Sequence, residues 1–128
     1  MARILIVEDD SILQSAYNTV LSMEGYQVDV ASDGLEGLRV AKEKKPDLIL
    51  LDMLMPNLGG LEFLKVFEAK NHPETKIIVF SNIVSPEDVR QAMDLGAVKY
   101  MTKANFTPKE MVATIKELLG QQSTGQAT

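Results

Sequence analysis

The sequence predicts an α/β domain of the doubly wound (βα)5 type, built on one five-stranded parallel sheet. Five β-type runs alternate with stretches of helical periodicity, the pattern of parallel strands joined by helical crossovers. Three of the runs are apolar throughout, as strands covered on both faces must be. Carboxylates follow two of those runs, which places acidic groups at the end of the sheet where such folds bind their ligands.

The first run is Arg3 to Val7, with Ile4 to Val7 continuously apolar. Leu13, Tyr17, Val20 and Leu21 then recur at helical spacing, and Gly25 stands where a helix needs a left-handed terminal residue. The second run, Gln27 to Ala31, is mixed and predicts an edge strand. Asp47 to Asp52 carries the apolar core Leu48 to Leu51 and is followed by Leu61, Leu64 and Phe67 on one helical face. Gly59-Gly60 lacks the lysine and glycine spacing of a phosphate-cradling loop, so it predicts a turn into that helix. Lys76 to Ser81 is the third apolar strand.

Ser85-Pro86-Glu87-Asp88 and Thr107-Pro108-Lys109-Glu110 each combine a capping hydroxyl, a proline at the first helical position and an acid three residues on. They predict sharp helix starts. Gly96 closes the first of these helices, and Val98 to Thr102 follows as a second mixed edge strand. Met111, Ile115, Leu118 and Leu119 give the last helix its apolar face. Residues 1–120 are therefore expected to form one domain, and the polar segment 121–128 a disordered tail or the start of a linker. The expected strand order is 2-1-3-4-5, the flavodoxin-like arrangement.

Composition narrows the function. There is no cysteine among the 128 residues, which excludes thiolate chemistry and disulfides and fits a reducing, cytoplasmic setting. No apolar run approaches the roughly 20 residues that span a bilayer, so no membrane insertion is expected. A net charge of −5 with scattered lysines and arginines gives no basic stripe and argues against direct nucleic-acid binding. His72 has no histidine partner and sits beside Pro73 in a polar connection, which fits a surface loop. The seven methionines fall mostly at apolar positions and fill core gaps.

Asp9, Asp10, Asp52, Ser81 and Lys103 all follow predicted strand ends and can converge at one mouth. Two carboxylates about 4 Å apart repel by roughly 4 kcal/mol at an effective dielectric near 20, so the acids call for a cation. Hard oxygen ligands without cysteine or paired histidine point to Mg2+, with Mn2+ able to substitute. Carboxylate, metal, lysine and hydroxyl together form a set suited to accepting a phosphoryl group.

The marks Glu8-Asp9-Asp10, Leu51-Asp52-Met53-Leu54-Met55-Pro56, Gly60, Phe80-Ser81 and Lys103, in this order, resemble the receiver domains of two-component response regulators over nearly the whole chain. The resemblance implies that Asp52 is the phosphoacceptor and that Asp9, Asp10, Asp52 and the Leu54 backbone carbonyl hold Mg2+. It implies that Ser81 and Lys103 bind the phosphoryl group. Ser81 and Tyr100 would form the switch, and Leu54 and Ile83 would tune the lifetime of the phosphoryl group. Both of these are apolar and cannot position an attacking water, so a long-lived phospho-form is expected. The implied donor is a sensor histidine kinase or a histidine phosphotransfer protein. An unidentified downstream protein would read the face made by the fourth helix, fifth strand and fifth helix, and a phosphorylation-dependent dimer is compatible with this.

One departure from the family is Ala104, where many receivers have a proline after the lysine, often in a cis peptide; a trans bond is expected here. Another is Asn82, where a small residue is more usual. Three other functions compete with a phosphoacceptor. A phosphorylation-independent binding module would use the same fold without the chemistry. An aspartate-nucleophile phosphohydrolase would want an acid two residues after Asp52, where this chain has Leu54. A flavodoxin-like electron carrier would need a first loop that cradles phosphate, which Glu8-Asp9-Asp10 would repel.

Overall fold

The computed structural model describes the backbone of residues 2–82 and 85–127, and side chains as far as Leu119. Its elements are β1 (Arg3–Val7), α1 (Ser11–Met23), β2 (Gln27–Ala31), α2 (Gly34–Lys44), β3 (Leu48–Leu51), α3 (Gly60–Phe67), β4 (Lys76–Ser81), α4 (Pro86–Asp94), β5 (Lys99–Thr102) and α5 (Pro108–Ala127). All strand pairs are parallel, in the order β2-β1-β3-β4-β5. This is the expected doubly wound topology.

The continuous apolar runs explain how the sheet is covered. Successive side chains of a strand point to opposite faces, so alternate residues of one run feed two cores. Ile4, Ile6, Leu48, Leu50, Ile78 and Phe80 pack with Tyr17 and Leu21 of α1 and with Met111 and Ile115 of α5. Leu5, Val7, Ile49, Leu51, Ile77 and Val79 pack on the other face with Val40 of α2, Phe63 and Leu64 of α3 and Ala92 of α4. The edge strands β2 and β5 carry the half-buried residues that their mixed sequences predict.

Helix ends follow their capping chemistry. Ser85 accepts from the Asp88 amide at 3.0 Å. Thr107 and Glu110 cap reciprocally, with Glu110 N donating to Thr107 Oγ1 at 3.1 Å and Thr107 N to Glu110 Oε1 at 2.9 Å. Gly25 and Gly96 adopt φ of 97° and 114°, the left-handed conformation that lets the chain leave α1 and α4.

Several element boundaries differ from the sequence reading. β3 is shorter by Asp47 and Asp52, and β5 starts at Lys99; yet Asp52 N still donates to Val7 O at 3.1 Å, so the chain keeps its direction as it leaves the sheet. The backbone of α5 continues to Ala127, across the polar segment read as a tail. Once a helix is nucleated, each added residue closes a hydrogen bond at little cost, so an apolar anchor is not needed for the backbone to continue.

Candidate functional site

Strand register sets the site. Val7 pairs with Leu51, so the next residues, Glu8 and Asp52, leave adjacent strands at the same level. Leu51 also pairs with Val79, and Ser81 pairs with Thr102, which brings Ser81 and Lys103 to the same rim from β4 and β5. Glu8, Asp52 and Ser81 are all buried. A carboxylate oxygen from each of Glu8, Asp9 and Asp52 lies within 4.8 Å of the other two.

Lys103 reaches across the mouth from the end of β5. Its Nζ donates to Glu8 Oε1 at 2.5 Å and to Asp52 Oδ2 at 3.0 Å. The other Asp52 oxygen accepts from the Leu54 amide at 3.4 Å. Two buried carboxylates thus share one ammonium, and Asp9 adds a third, exposed acid. Burial holds the Glu8 carboxyl above its ordinary pKa even though Lys103 and the Asp10 amide pull it down; the Asp52 charge adds to the rise. Lys103 shows the complement. Burial alone would lower its pKa, but the hydrogen bonds and charges of Glu8 and Asp52 together raise it above the ordinary value. The cluster is therefore short of positive charge, which is the condition a divalent cation relieves.

The structure replaces Asp10 with Glu8 in the acidic group. Asp10 is the N-cap of α1, where its Oδ1 accepts from Ile12 N at 2.9 Å and Leu13 N at 3.1 Å. Asp10, with Oδ1 committed to two helix amides, is not among the acids grouped at the mouth. Asp10 before Ser11-Ile12-Leu13 is an N-cap pattern in the sequence, and Glu8 directly follows a strand end just as Asp52 does. Those two signals single out Glu8 rather than Asp10 as the acid grouped with Asp9 and Asp52.

The remaining predicted residues lie as follows. Leu54 projects outward from the β3–α3 loop and is 65% exposed. Tyr100 is half-buried on β5, packed against the core below α3 and α4, and its hydroxyl pKa is raised by burial and then by the charges of Asp88 and Asp52. Ile83 lies outside the described residues. No cis peptide occurs among the described residues, so Lys103–Ala104 is trans, and residues 103–105 form a short 3-10 turn. His72 is remote, stacked on Phe67 with ring centroids 4.6 Å apart and 3.3 Å from Glu74. Among the described residues no helix is long and apolar enough to cross a membrane.

Residues 4–116 match the family model of the response regulator receiver domain. Over 117 residues the chain is 34% identical to the DNA-binding response regulator MtrA of Mycobacterium tuberculosis, covering 91% of this chain and 50% of that protein. It is 36% identical to the response regulator ArlR of Staphylococcus saprophyticus over 122 residues, 95% of this chain and 54% of that protein. The chain thus spans about half the length of these curated relatives. Among solved structures, a CheY-like receiver domain protein from Methanospirillum hungatei superposes with a TM-score of 0.88 at 31% identity, covering 98% of both chains. The chemotaxis protein CheY4 of Vibrio cholerae gives 0.83 at 30% identity, covering 91% of this chain and 98% of that one.

The raised Glu8 pKa has a consequence for stability. Above the ordinary value of 4.5 the unfolded chain releases a proton that the folded chain still holds, so stability falls as pH rises through this window. Glu8→Gln removes the effect. We expect the unfolding free energy of the wild type to fall relative to that of E8Q as pH rises above 4.5, then level off once Glu8 is ionised in both states. The raised Lys103 pKa acts only above 10.5, outside this window. Urea titrations without divalent metal between about pH 4 and 8 measure the trend, and a relative stability that climbs with pH contradicts it.

Proposed function

Because the chain belongs to the response regulator receiver domain family, we propose that Asp52 accepts a phosphoryl group from a histidine of a sensor kinase or phosphotransfer protein. The observation that carries this reading is the unbalanced cluster of Glu8, Asp9 and Asp52 around a single ammonium, Lys103. The donor set fits Mg2+, being hard, anionic and oxygen-only. Glu8, Asp9, Asp52 and the Leu54 carbonyl are the residues we assign to it. When bound, Mg2+ supplies neutralisation of the negative charge on the phosphoryl oxygens.

The protein's own groups do the rest. Asp52, fixed between Lys103 and the Leu54 amide, presents a carboxylate oxygen that bonds to phosphorus as the P–N bond of the donor breaks. The departing imidazole keeps the bonding pair. Lys103 exchanges its contact with the Asp52 carboxylate for a phosphoryl oxygen, and the Ser81 hydroxyl binds another. Positioning and charge stabilisation account for catalysis of this kind, so no further acid or base is needed. Leu54 offers no acid for rapid turnover, which favours a stored signal over a hydrolase and a slow return to the unphosphorylated state.

The phosphoryl group adds about −1.5 to −2 charges beside Ser81. Drawing Ser81 toward it shifts the chain leading to α4 and biases Tyr100, so that the α4-β5-α5 face changes its affinity for a downstream protein. A reading that leaves Asp52 unused, the phosphorylation-independent module, gives no reason for an ammonium held against two buried carboxylates.

Three outcomes follow from this assignment. Intact-mass analysis after incubation with Mg2+ and acetyl phosphate should show a gain of one phosphoryl group on the wild type and none on Asp52→Asn; equal gain on both would refute Asp52 as acceptor. Asp9→Asn should weaken Mg2+ binding about tenfold or more, whereas Asp10→Ser, which keeps a capping oxygen, should bind as the wild type does. Equal weakening in both calorimetric titrations would return Asp10 to the site. Leu54→Asn should shorten the lifetime of the phospho-form severalfold, followed by loss of the mass increment with time, and an unchanged or longer lifetime counts against the role of Leu54.

A further inference from the structure

We infer that Asp33 and Asn57 form a clamp between two loops that positions the Leu54 carbonyl for the metal, making both of them positioning residues of the site. This rests on the reading of that carbonyl as a Mg2+ ligand. The β3–α3 loop, residues 52–59, must hold a neutral oxygen steady, although Leu54, Pro56 and Asn57 are exposed. Its base is fixed by its own backbone, with Gly60 N donating to Met53 O at 2.9 Å. Its tip is a tight turn in which Leu58 N donates to Pro56 O at 2.7 Å and Asn57 takes φ 70°. Neither bond ties the tip to the rest of the protein.

Asp33 supplies that tie. One of its oxygens, Oδ1, caps α2 by accepting from Glu36 N at 2.8 Å, and the other, Oδ2, accepts from Asn57 Nδ2 at 2.6 Å. The two bonds hold the Asp33 carboxyl below its ordinary pKa. A charge-assisted amide bond of that length is stronger than a neutral one. Beside it, Gly34 lets the loop lie against the start of α2, since a Cβ there would meet Leu58 O at 2.3 Å. α2 is itself seated on β1, where the missing side chain of Gly37 permits a close approach, since a Cβ there would meet Val7 Cγ2 at 3.0 Å. The strand that delivers Glu8 and the loop that carries Leu54 are thereby referenced to one helix, which fixes the separation between a carboxylate and the carbonyl assigned to the same ion. Ligands held at a set separation bind Mg2+ better than ligands that must be ordered on binding, because this ion demands near-ideal geometry.

The two residues can be tested without removing other functions they hold. Asn57→Gly keeps a residue suited to φ 70° and deletes the donor; Asp33→Ser keeps a helix cap and is too short for the clamp. Calorimetric titration of the full chain with Mg2+ alone should show each variant weakened about fivefold, the double variant no weaker than either single one, and recovery to within about twofold in the exchanged pair D33N with N57D, where an amide again meets a carboxylate. Single variants that bind as the wild type does, losses that add in the double variant, or an exchanged pair that stays weak would each overturn the clamp. Failure of the wild type to bind Mg2+ would instead sink the metal reading, and the clamp with it.

Discussion

Two buried carboxylates facing one ammonium set the terms for the rest of this molecule. Asp52 is the proposed phosphoacceptor, and a carboxylate buried at the end of an apolar strand is costly without a partner. Lys103 keeps a counter-charge within 3.0 Å of it, and Glu8 competes for the same ammonium at 2.5 Å. Each unit charge about 4 Å away is worth roughly 4 kcal/mol at an effective dielectric near 20, so one lysine cannot satisfy both acids together with Asp9. Three acids thus face one ammonium at the mouth, an imbalance that a divalent cation can relieve.

The fold keeps this imbalance from dissolving into solvent. β1, β3 and β4 are buried on both faces, and a register slip of one residue would turn every apolar side chain to the wrong core. The same register carries Glu8 and Asp52 out of the sheet side by side. The geometry of the acids is therefore enforced by the packing of Ile4 to Val7 and Leu48 to Leu51, far more apolar contact than repulsion at the mouth can displace. Lys103 arrives from an edge strand followed by a short 3-10 turn, a less rigid setting. That difference suits the proposed exchange, in which Lys103 changes partner when a phosphoryl group appears.

Much of this was legible in the residues. Apolar runs and capping motifs are local signals, and they place β1, β4 and the starts of α4 and α5 where the structure has them. Three acids in a row all look available, and only the hydrogen-bonding needs of α1 tell them apart: Asp10 is taken by Ile12 N and Leu13 N, while Glu8 and Asp9 group with Asp52. The bond between Asp33 and Asn57 has no local signature at all. It joins residues 24 apart through a helix cap and a left-handed turn, each ordinary on its own, and only the tertiary fold brings them within 2.6 Å. Residues 121–127 show the opposite limit, since their polarity speaks to the absence of apolar anchors and says little about whether a backbone already coiled in α5 continues to coil.

Leu54 shows how one position can serve through backbone and side chain separately. Its amide donates to Asp52, its carbonyl is the oxygen assigned to the metal, and its side chain points outward, 65% exposed. The backbone role is indifferent to residue type so long as the turn is kept, so the side chain is free to vary with the lifetime the signal requires. On the proposed reading, an amide or acid there could orient water toward a phosphoryl group on Asp52, whereas an isobutyl group offers water no hydrogen bond. Exposing so much apolar surface at the mouth is unfavourable in water by about 25 cal/mol per Å2. Part of that penalty is recovered whenever a partner covers the mouth, so on the proposed reading the residue that prolongs the phospho-form also favours docking of the phosphoryl donor.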